Sequence, residues 1–417
     1  MKKIAIIGTG IAGMGCGHLL KGIFDITFFE QNDYVGGHTN TITITEDGKD
    51  IFIDTGFMVF NHVTYPNLTA LFAELNVPTK KTTMSFSVQH KPTNLEYCGS
   101  SLNGLFAQRK NIFSPRFIKM LLQINRFNEE SLKLLDSKDS EHITLKEYAE
   151  RNGYKKDLLY KYLIPMSAAV WSTPIDSMLD FPAATLIRFF KNHGFLGLKT
   201  QHQWYTVCNG SKSYRDIIMA SFKNKVFVNN AVVKVKREND QVKLTFKNGE
   251  NKFFDKVIIA AHANQALKIL ENPSENEFRI LSNFKYQKNK AILHTDESVM
   301  PKNKKIWSAW NYLMDEKNNQ IMPSTIYYMN ALQQVSDKKN YFVSINDSGN
   351  IAENKILKTI DYEHPLFDVA AIKAQKELSI LNQSEQIYFC GSYFNYGFHE
   401  DAFASAIQVA DIIKKEK

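Results

Sequence analysis

Residues 3–20, KIAIIGTGIAGMGCGHLL, run from a short β-branched stretch through a glycine cluster into a helical apolar pattern. Gly8, Gly10 and Gly13 stand in the spacing G-x-G-x-x-G between the predicted strand and helix. Gly8 permits the tight turn, Gly10 lets a pyrophosphate approach the backbone, and Gly13 lets the helix pack close to the strand. A phosphate there rests on the unpaired amides of Ile11 and Ala12 and on the positive end of the helix dipole. The motif alone also fits a glycine turn in an unrelated α/β unit. A second strand, DITFFE, decides the matter, because it ends in Glu30 about 20 residues after Gly10, where an acid accepts bonds from ribose hydroxyls. The same acid repels a 2′-phosphate, which disfavours NADP. The apolar run before Gly8 is too short for a signal peptide and reads as a strand.

Beyond Glu30 and Gln31 comes VGGHTNTIT, with Gly36, Gly37 and His38, followed by IFIDTGF, a strand delivering Asp54, Thr55 and Gly56. An NAD site has no general need for this second glycine pair. An FAD site does, since FAD runs on past this loop toward its ribityl chain and flavin. Cys390 and His38 stand in no recognisable attachment motif, so the FAD is expected to be non-covalent. The combination resembles the flavin-containing amine oxidase superfamily, which also holds protoporphyrinogen oxidases, carotenoid desaturases and some fatty-acid isomerases.

That resemblance implies an α/β fold: a discontinuous Rossmann-like FAD-binding domain of the glutathione-reductase type, plus a substrate domain of mixed sheet and helix. The FAD-binding parts are expected at 1–75, 201–272 and 371–417, and the substrate domain at 76–200 (helical) and 273–370. A chain of 417 residues suits two intertwined domains. Hydrophobic content of 44% and charged content of 23% are those of an ordinary globular protein. The segment 226–270 shows strand alternation around Val232–Val235, turns at Asn239-Asp240 and Asn248-Gly249, and an apolar strand. In the resembled superfamily the backbone at Val233, or its neighbour Val232, meets the adenine.

The net charge is +8, from lysines spread along the chain. That suits a solvated surface and is compatible with brief docking on an anionic membrane; no nucleic-acid signature stands out. The four cysteines are far apart without a CxxC pair, so reduced thiols, a cytoplasmic setting with peripheral inner-membrane contact, and no metal site are expected. No apolar stretch approaches the length of a membrane span. Nothing in the sequence fixes an oligomeric state.

A narrower likeness runs along almost the whole chain. GGHTNT (36–41), TYPNL (64–68), MSFSV (84–88), WSTP (171–174), WYTVCNGSKSY (204–214), AWNYL (309–313), YYMNALQ (327–333), HPLFD (364–368) and GFHEDAFASA (397–406) resemble one subgroup of bacterial FAD-dependent proteins. Members of that subgroup are often encoded beside cyclopropane fatty acid synthases. Its pattern has Gly where this chain has Cys208 and Ala402. The resemblance implies an FAD-dependent oxidoreductase that takes hydride from an unsaturated or cyclopropane- or methyl-modified fatty acyl chain or phospholipid. Three alternatives stand beside it: a redox-neutral double-bond isomerase, an amine oxidase, and a non-enzymatic FAD-binding partner of a lipid methyltransferase.

Charge developing at the flavin pyrimidine calls for a helix N-terminus. FCGSYFNYGFHEDAFASA supplies Gly391, an aromatic loop and acids before a helix. Asp401 is expected to orient the cofactor, with the amides of Ala402 and Phe403 toward the pyrimidine edge and His399 or Phe398 toward substrate. Capping of the last helix by Glu400 and Asp401 is the other reading. The superfamily's lysine near the flavin best matches Lys290, at the expected start of a strand, with Lys285 and Lys288 as alternatives and His294 and Asp296 further along. Trp204 and Tyr205, or Tyr327 and Tyr328, offer an aromatic pair beside the flavin; Trp171 and Trp310 read as core. No acidic cluster is placed for a cationic amine, which favours an acyl substrate.

Overall fold

The computed structural model describes residues 1–137, 142–197, 200–383 and 386–416. Its centre is a five-stranded parallel sheet in the order Val226–Phe227, Asp25–Phe29, Lys3–Ile7, Lys256–Ile259, Ile387–Phe389. Ile4, Ile6, Val257, Ile258, Ile387 and Phe389 are fully buried, as strands of a parallel sheet covered on both faces must be. Three separate stretches of sequence therefore build one sheet.

The helix Ile11–Leu20 leaves the first strand after only three residues. Small residues let it sit tightly between two neighbours. A Cβ on Gly17 would lie 2.3 Å from the Phe28 ring on the sheet side. One on Gly15 would lie 2.7 Å from Phe403 of the last helix, His399–Lys415. That last helix buries Ala402, Phe403, Ala406, Val409, Ala410 and Ile413, whose spacing of three and four makes one apolar stripe. Lys414 and Lys415 lie in its final turn, where positive charge suits the dipole.

A meander of Val232–Glu238, Gln241–Phe246 and Asn251–Phe254 flanks the parallel sheet. Its first turn is the two-residue Asn239-Asp240 connection, with Asn239 at φ +54°. A second, seven-stranded sheet runs in the order Ile356–Leu366, Lys285–His294, Phe342–Ile345, Gln320–Tyr328, Trp310–Lys317, Phe86–His90, Leu95–Cys98. The segment 76–200 is thus not purely helical: two of these strands come from it, and its helices pack over the sheet. A small sheet of Phe60–Asn61, Trp204–Val207 and Thr79–Thr82 bridges the two halves. No helix among the described residues is long and apolar enough to cross a membrane.

Candidate functional site

A cavity of about 840 Å³ runs between the parallel sheet and the seven-stranded sheet. At one end lie Gly8, Gly10, Ile11, Ala12, Glu30 and Gln31. Gly8 has φ +97°, open to glycine, and a Cβ there would stand 2.5 Å from Ala260 O. Gly13 lies behind the wall, where a Cβ would meet Gly8 O at 2.1 Å. Of the three motif glycines only Gly10 faces open space, with nothing among the described residues within 4 Å of an added Cβ. The first helical bond runs from Met14 N–H to Gly10 O (2.9 Å), so the amides of Ile11 and Ala12 precede the hydrogen-bonded ladder. Glu30 accepts from Thr9 N–H (3.0 Å), Thr9 Oγ1 (2.7 Å) and Asn32 N–H (3.0 Å). Its two oxygens offer about four acceptor positions, so one remains for a further hydroxyl.

The next portion is set by the second glycine pair. Gly36 N–H donates to Thr9 Oγ1 (3.2 Å) behind the wall, while Gly37 lines the cavity beside Gly10. His38 lines it too, stacked on Tyr362 with ring centroids 4.6 Å apart. Burial pushes the His38 imidazole well below its ordinary range, helped by His364, His262 and His399, so it is neutral at pH 7. Thr55 and Gly56 follow. Thr55 Oγ1 donates to Asn40 O (3.0 Å), and a Cβ on Gly56 would stand 2.3 Å from His38 O.

At the far end the cavity has an aromatic wall. Trp171, Phe189, His193, Trp204 and Phe398 line it and touch in sequence: Trp171–Phe189 4.7 Å, Phe189–Phe398 5.3 Å, Phe189–His193 3.9 Å, His193–Trp204 6.1 Å. His399 completes it, stacked on Phe57 at 4.0 Å with Nε2 3.2 Å from Thr39 Oγ1. Burial lowers His193 to about 4 and His399 to about 3, so both are neutral. The carboxylates that line the cavity stand on other elements. Glu30 sits beside the glycine turn, and Asp361 and Glu363 lie on the edge strand Ile356–Leu366. There Glu363 is held below the usual carboxylate range by His262, 3.4 Å away, against the opposing effect of burial, with Lys288 adding to the lowering.

Several expected residues lie elsewhere. Val233 falls in a β-bulge between Val232 and Lys234 and is 40% exposed; Val232 lines the cavity instead. Lys290 is exposed in mid-strand, because the strand begins at Lys285, and Lys288 is the lysine at the cavity. His294 bonds Ser344 Oγ (2.8 Å) and Asp296 accepts from Ser298 and Ala352 amides, both away from the cavity. Tyr205 points opposite to Trp204, as neighbours on a strand do, and packs on Phe60 and His62. Trp171 and Trp310, read as core, both line the cavity, as does Tyr327 but not Tyr328.

The acids of the last helix also divide differently. Asp401 does not line the cavity; its carboxylate accepts from Phe398 N–H (2.8 Å) and caps its own helix. Ala402 lines the cavity, but its N–H is committed to Phe398 O (3.0 Å), so the free amides at this end precede it. Glu400 reaches another helix, accepting from Asn67 N–H (3.0 Å) and Leu68 N–H (2.9 Å) at the start of Pro66–Glu74. Sequence inspection could not assign these caps, because adjacent acids on a helix point to different neighbours.

Burial, opposed by the bond from Phe398 N–H, pushes the Asp401 carboxyl from 3.8 up to about 7. The folded form therefore holds this proton more tightly than the unfolded chain. The contribution is complete below about pH 4 and is lost as pH rises through about 7. Asp401→Asn keeps an acceptor for Phe398 and cannot ionise. It should match wild type near pH 4 and melt higher at pH 8, by on the order of 4 kcal/mol in stability. A wild-type loss of melting temperature over pH 4–8 that persists in the variant would contradict this.

The residues fit FAD. Gly10 opens on a space that a side chain would fill, and buried polar atoms of the cavity-lining His38 (Nε2), Trp204 (Nε1), Trp310 (Nε1) and Tyr393 (OH) lack partners among the described residues. Cys390 does not line the cavity; its Sγ lies 3.7 Å from Cys16 Sγ. Fold and site together define an FAD-dependent oxidoreductase with non-covalent cofactor. The chain belongs to the flavin-containing amine oxidoreductase family, whose sequence model matches residues 11–338.

Solved structures agree on the fold over the whole length. A redesigned putrescine oxidase superposes with TM-score 0.72 at 14% identity, covering 100% of this chain and 99% of its own. Cyclohexylamine oxidase from Brevibacterium oxydans gives 0.71 at 12% identity, covering 100% and 99%. A fatty acid isomerase from P. acnes that produces CLA gives 0.69 at 14%, covering 99% and 98%. No curated protein matches the chain by sequence.

Proposed function

We propose that this oxidoreductase removes hydrogen from a fatty acyl chain, free or within a phospholipid. The observation that carries the reading is the aromatic wall of Trp171, Phe189, His193, Trp204 and Phe398, which bears no carboxylate and whose histidine is neutral. A cationic amine placed there would be desolvated without a counter-ion, at a cost of several kcal/mol. An acyl chain loses nothing by the same transfer and gains about 0.8 kcal/mol per buried CH₂.

FAD, when bound, supplies the hydride-accepting chemistry. The aromatic wall holds the acyl carbon chain by burial, excludes water and brings no carboxylate of its own; the cavity's charged Glu30, Lys288, Asp361 and Glu363 stand on other elements. His399 is fixed through Thr39 Oγ1, which in turn bonds Tyr214 OH at 2.7 Å. The free amides before Ala402 present the positive end of the last helix.

Unsaturated, methyl-branched and cyclopropane-containing lipids incubated with the holoenzyme and a quinone or dioxygen as electron acceptor should lose two hydrogens by mass. Release of aldehyde and ammonia from amines, with acyl lipids unchanged, would overturn the reading. A shifted double bond at unchanged mass keeps the acyl substrate but makes the reaction an isomerisation, which is the chemistry named for the P. acnes neighbour.

A further inference from the structure

On the outer side of the seven-stranded sheet, residues 99–128 form a layer with an unusual division of surfaces. The short helix Leu102–Leu105, the turn Arg109–Phe113 and the helix Pro115–Glu130 pack inward through Phe106, Phe117 and Met120 onto Val88 and Tyr97. Ser114 caps the long helix through Phe117 N–H (3.3 Å). The inward side is thus a complete small core. Yet the same stretch leaves Phe113 86%, Leu102 76%, Leu122 67% and Ile112 46% exposed. Single exposed apolar residues are ordinary, but four large ones on one layer are not.

Charge is divided as sharply. Arg109, Lys110, Arg116, Lys119 and Arg126 are the only charged residues from 99 to 128, and none is acidic. Arg116 is paired with Asp157 and Arg126 with Glu130. Lys110 and Lys119 are exposed and have no carboxylate partner among the described residues. On the long helix Pro115, Lys119, Leu122 and Arg126 recur at spacings of three and four, so they share one face. Phe113 lies two residues before Pro115, in the turn that leads into this helix. Large apolar side chains interleaved with unpaired lysines are the composition of a surface that enters the boundary of an anionic bilayer. A soluble acidic protein partner would satisfy the lysines but would have to offer apolar pockets matched to Phe113 and Leu122, whereas an anionic bilayer receives both without shape complementarity.

We propose that the face carrying Leu102, Phe113 and Leu122, with Lys110 and Lys119, docks the protein on an anionic lipid bilayer. The layer is one strand from the cavity: Phe86 at its base pairs in register with the cavity-lining Trp310. Docking deepens the acyl reading, on which it rests for its purpose, because it brings the substrate domain to the membrane that holds acyl chains.

The test is co-sedimentation of the FAD-loaded full chain with vesicles of phosphatidylcholine alone and of phosphatidylcholine mixed with phosphatidylglycerol. Binding to the mixed vesicles is expected, with loss as salt is raised. Phe113→Ser with Leu122→Ser should weaken it on the order of 100-fold. Lys110→Ser with Lys119→Ser should weaken it on the order of 30-fold. Both variants alter only exposed side chains, so flavin content and melting temperature should stay at wild-type values. Absence of binding to the mixed vesicles, or binding untouched by the substitutions, overturns the proposal. So does a wild-type dimer that the Phe113/Leu122 variant converts to monomer while neither binds vesicles, since the face would then meet a second copy. Detergent-dispersed acyl substrate separates the two readings. Wild type that binds vesicles but turns over no acyl lipid contradicts the acyl reading alone, whereas turnover without vesicle binding contradicts docking alone.

Discussion

Gly10→Val should give a folded, soluble and colourless protein. An added Cβ meets nothing within 4 Å among the described residues, and the backbone there (φ −62°, ψ 175°) is open to any L-residue. The new side chain would occupy the space where a pyrophosphate must approach the amides of Ile11 and Ala12. FAD affinity should fall on the order of 1000-fold, about 4 kcal/mol. Gly13→Val, three residues later in the same motif, should behave in the opposite way. Its Cβ would stand 2.1 Å from Gly8 O and 3.3 Å from Ala260 Cβ, both fixed by the sheet. Overpacking of that kind costs at least about 1–3 kcal/mol, so the loss should appear as instability of the apoprotein itself. Flavin absorbance per polypeptide and the melting temperature of each apoprotein separate the two. Normal flavin occupancy in Gly10→Val would contradict the placement of the cofactor.

Asp54→Ala should cost about 3–5 kcal/mol of stability. The carboxylate is buried and accepts from Thr41 Oγ1 (2.5 Å), Ser211 N–H (2.9 Å), Ser211 Oγ (2.7 Å) and Gln333 Nε2 (2.7 Å). Burial lifts its pKa while the bonds from Thr41, Ser211 and Gln333 oppose the rise. Truncation would strand these donors in the interior. Because Asp54 ends the strand that delivers Thr55 and Gly56 to the cavity, flavin should be lost along with stability. Denaturant midpoints of wild type and variant measure the effect; a difference below about 1 kcal/mol would falsify the role of Asp54 as a hub.

Asp54 also shows how far the sequence could be read. GGHTNT, DTGF, WYTVCNGSKSY and YYMNALQ are far apart in the chain, and their Thr41, Asp54, Ser211 and Gln333 meet at one carboxylate. Strings could be noticed, but not the point where they converge. The glycine turn, Glu30 and the Asn239-Asp240 hairpin were legible because local spacing alone determines them. Trp204 was legible as a site candidate, yet its neighbour Tyr205 was not excluded, since the facing of a strand needs its partners. The sequence favours Lys290 over Lys288 because nothing local marks the start of the strand at Lys285, and Val233 over Val232 because a bulge leaves no mark in sequence. Asp401 stands beside a loop that the sequence reads as flavin-facing. Its own helix claims it, as the spacing from Phe398 to the third helical residue allows.

The proposed substrate of this flavoenzyme is an acyl chain received at the aromatic wall. Anaerobic titration of the purified holoenzyme, followed by flavin absorbance, tests it most directly. Unsaturated, methyl-branched or cyclopropane-containing acyl lipids should bleach the flavin bands, while putrescine and cyclohexylamine leave them unchanged. Bleaching by the amines, with every acyl lipid inert, would contradict the account.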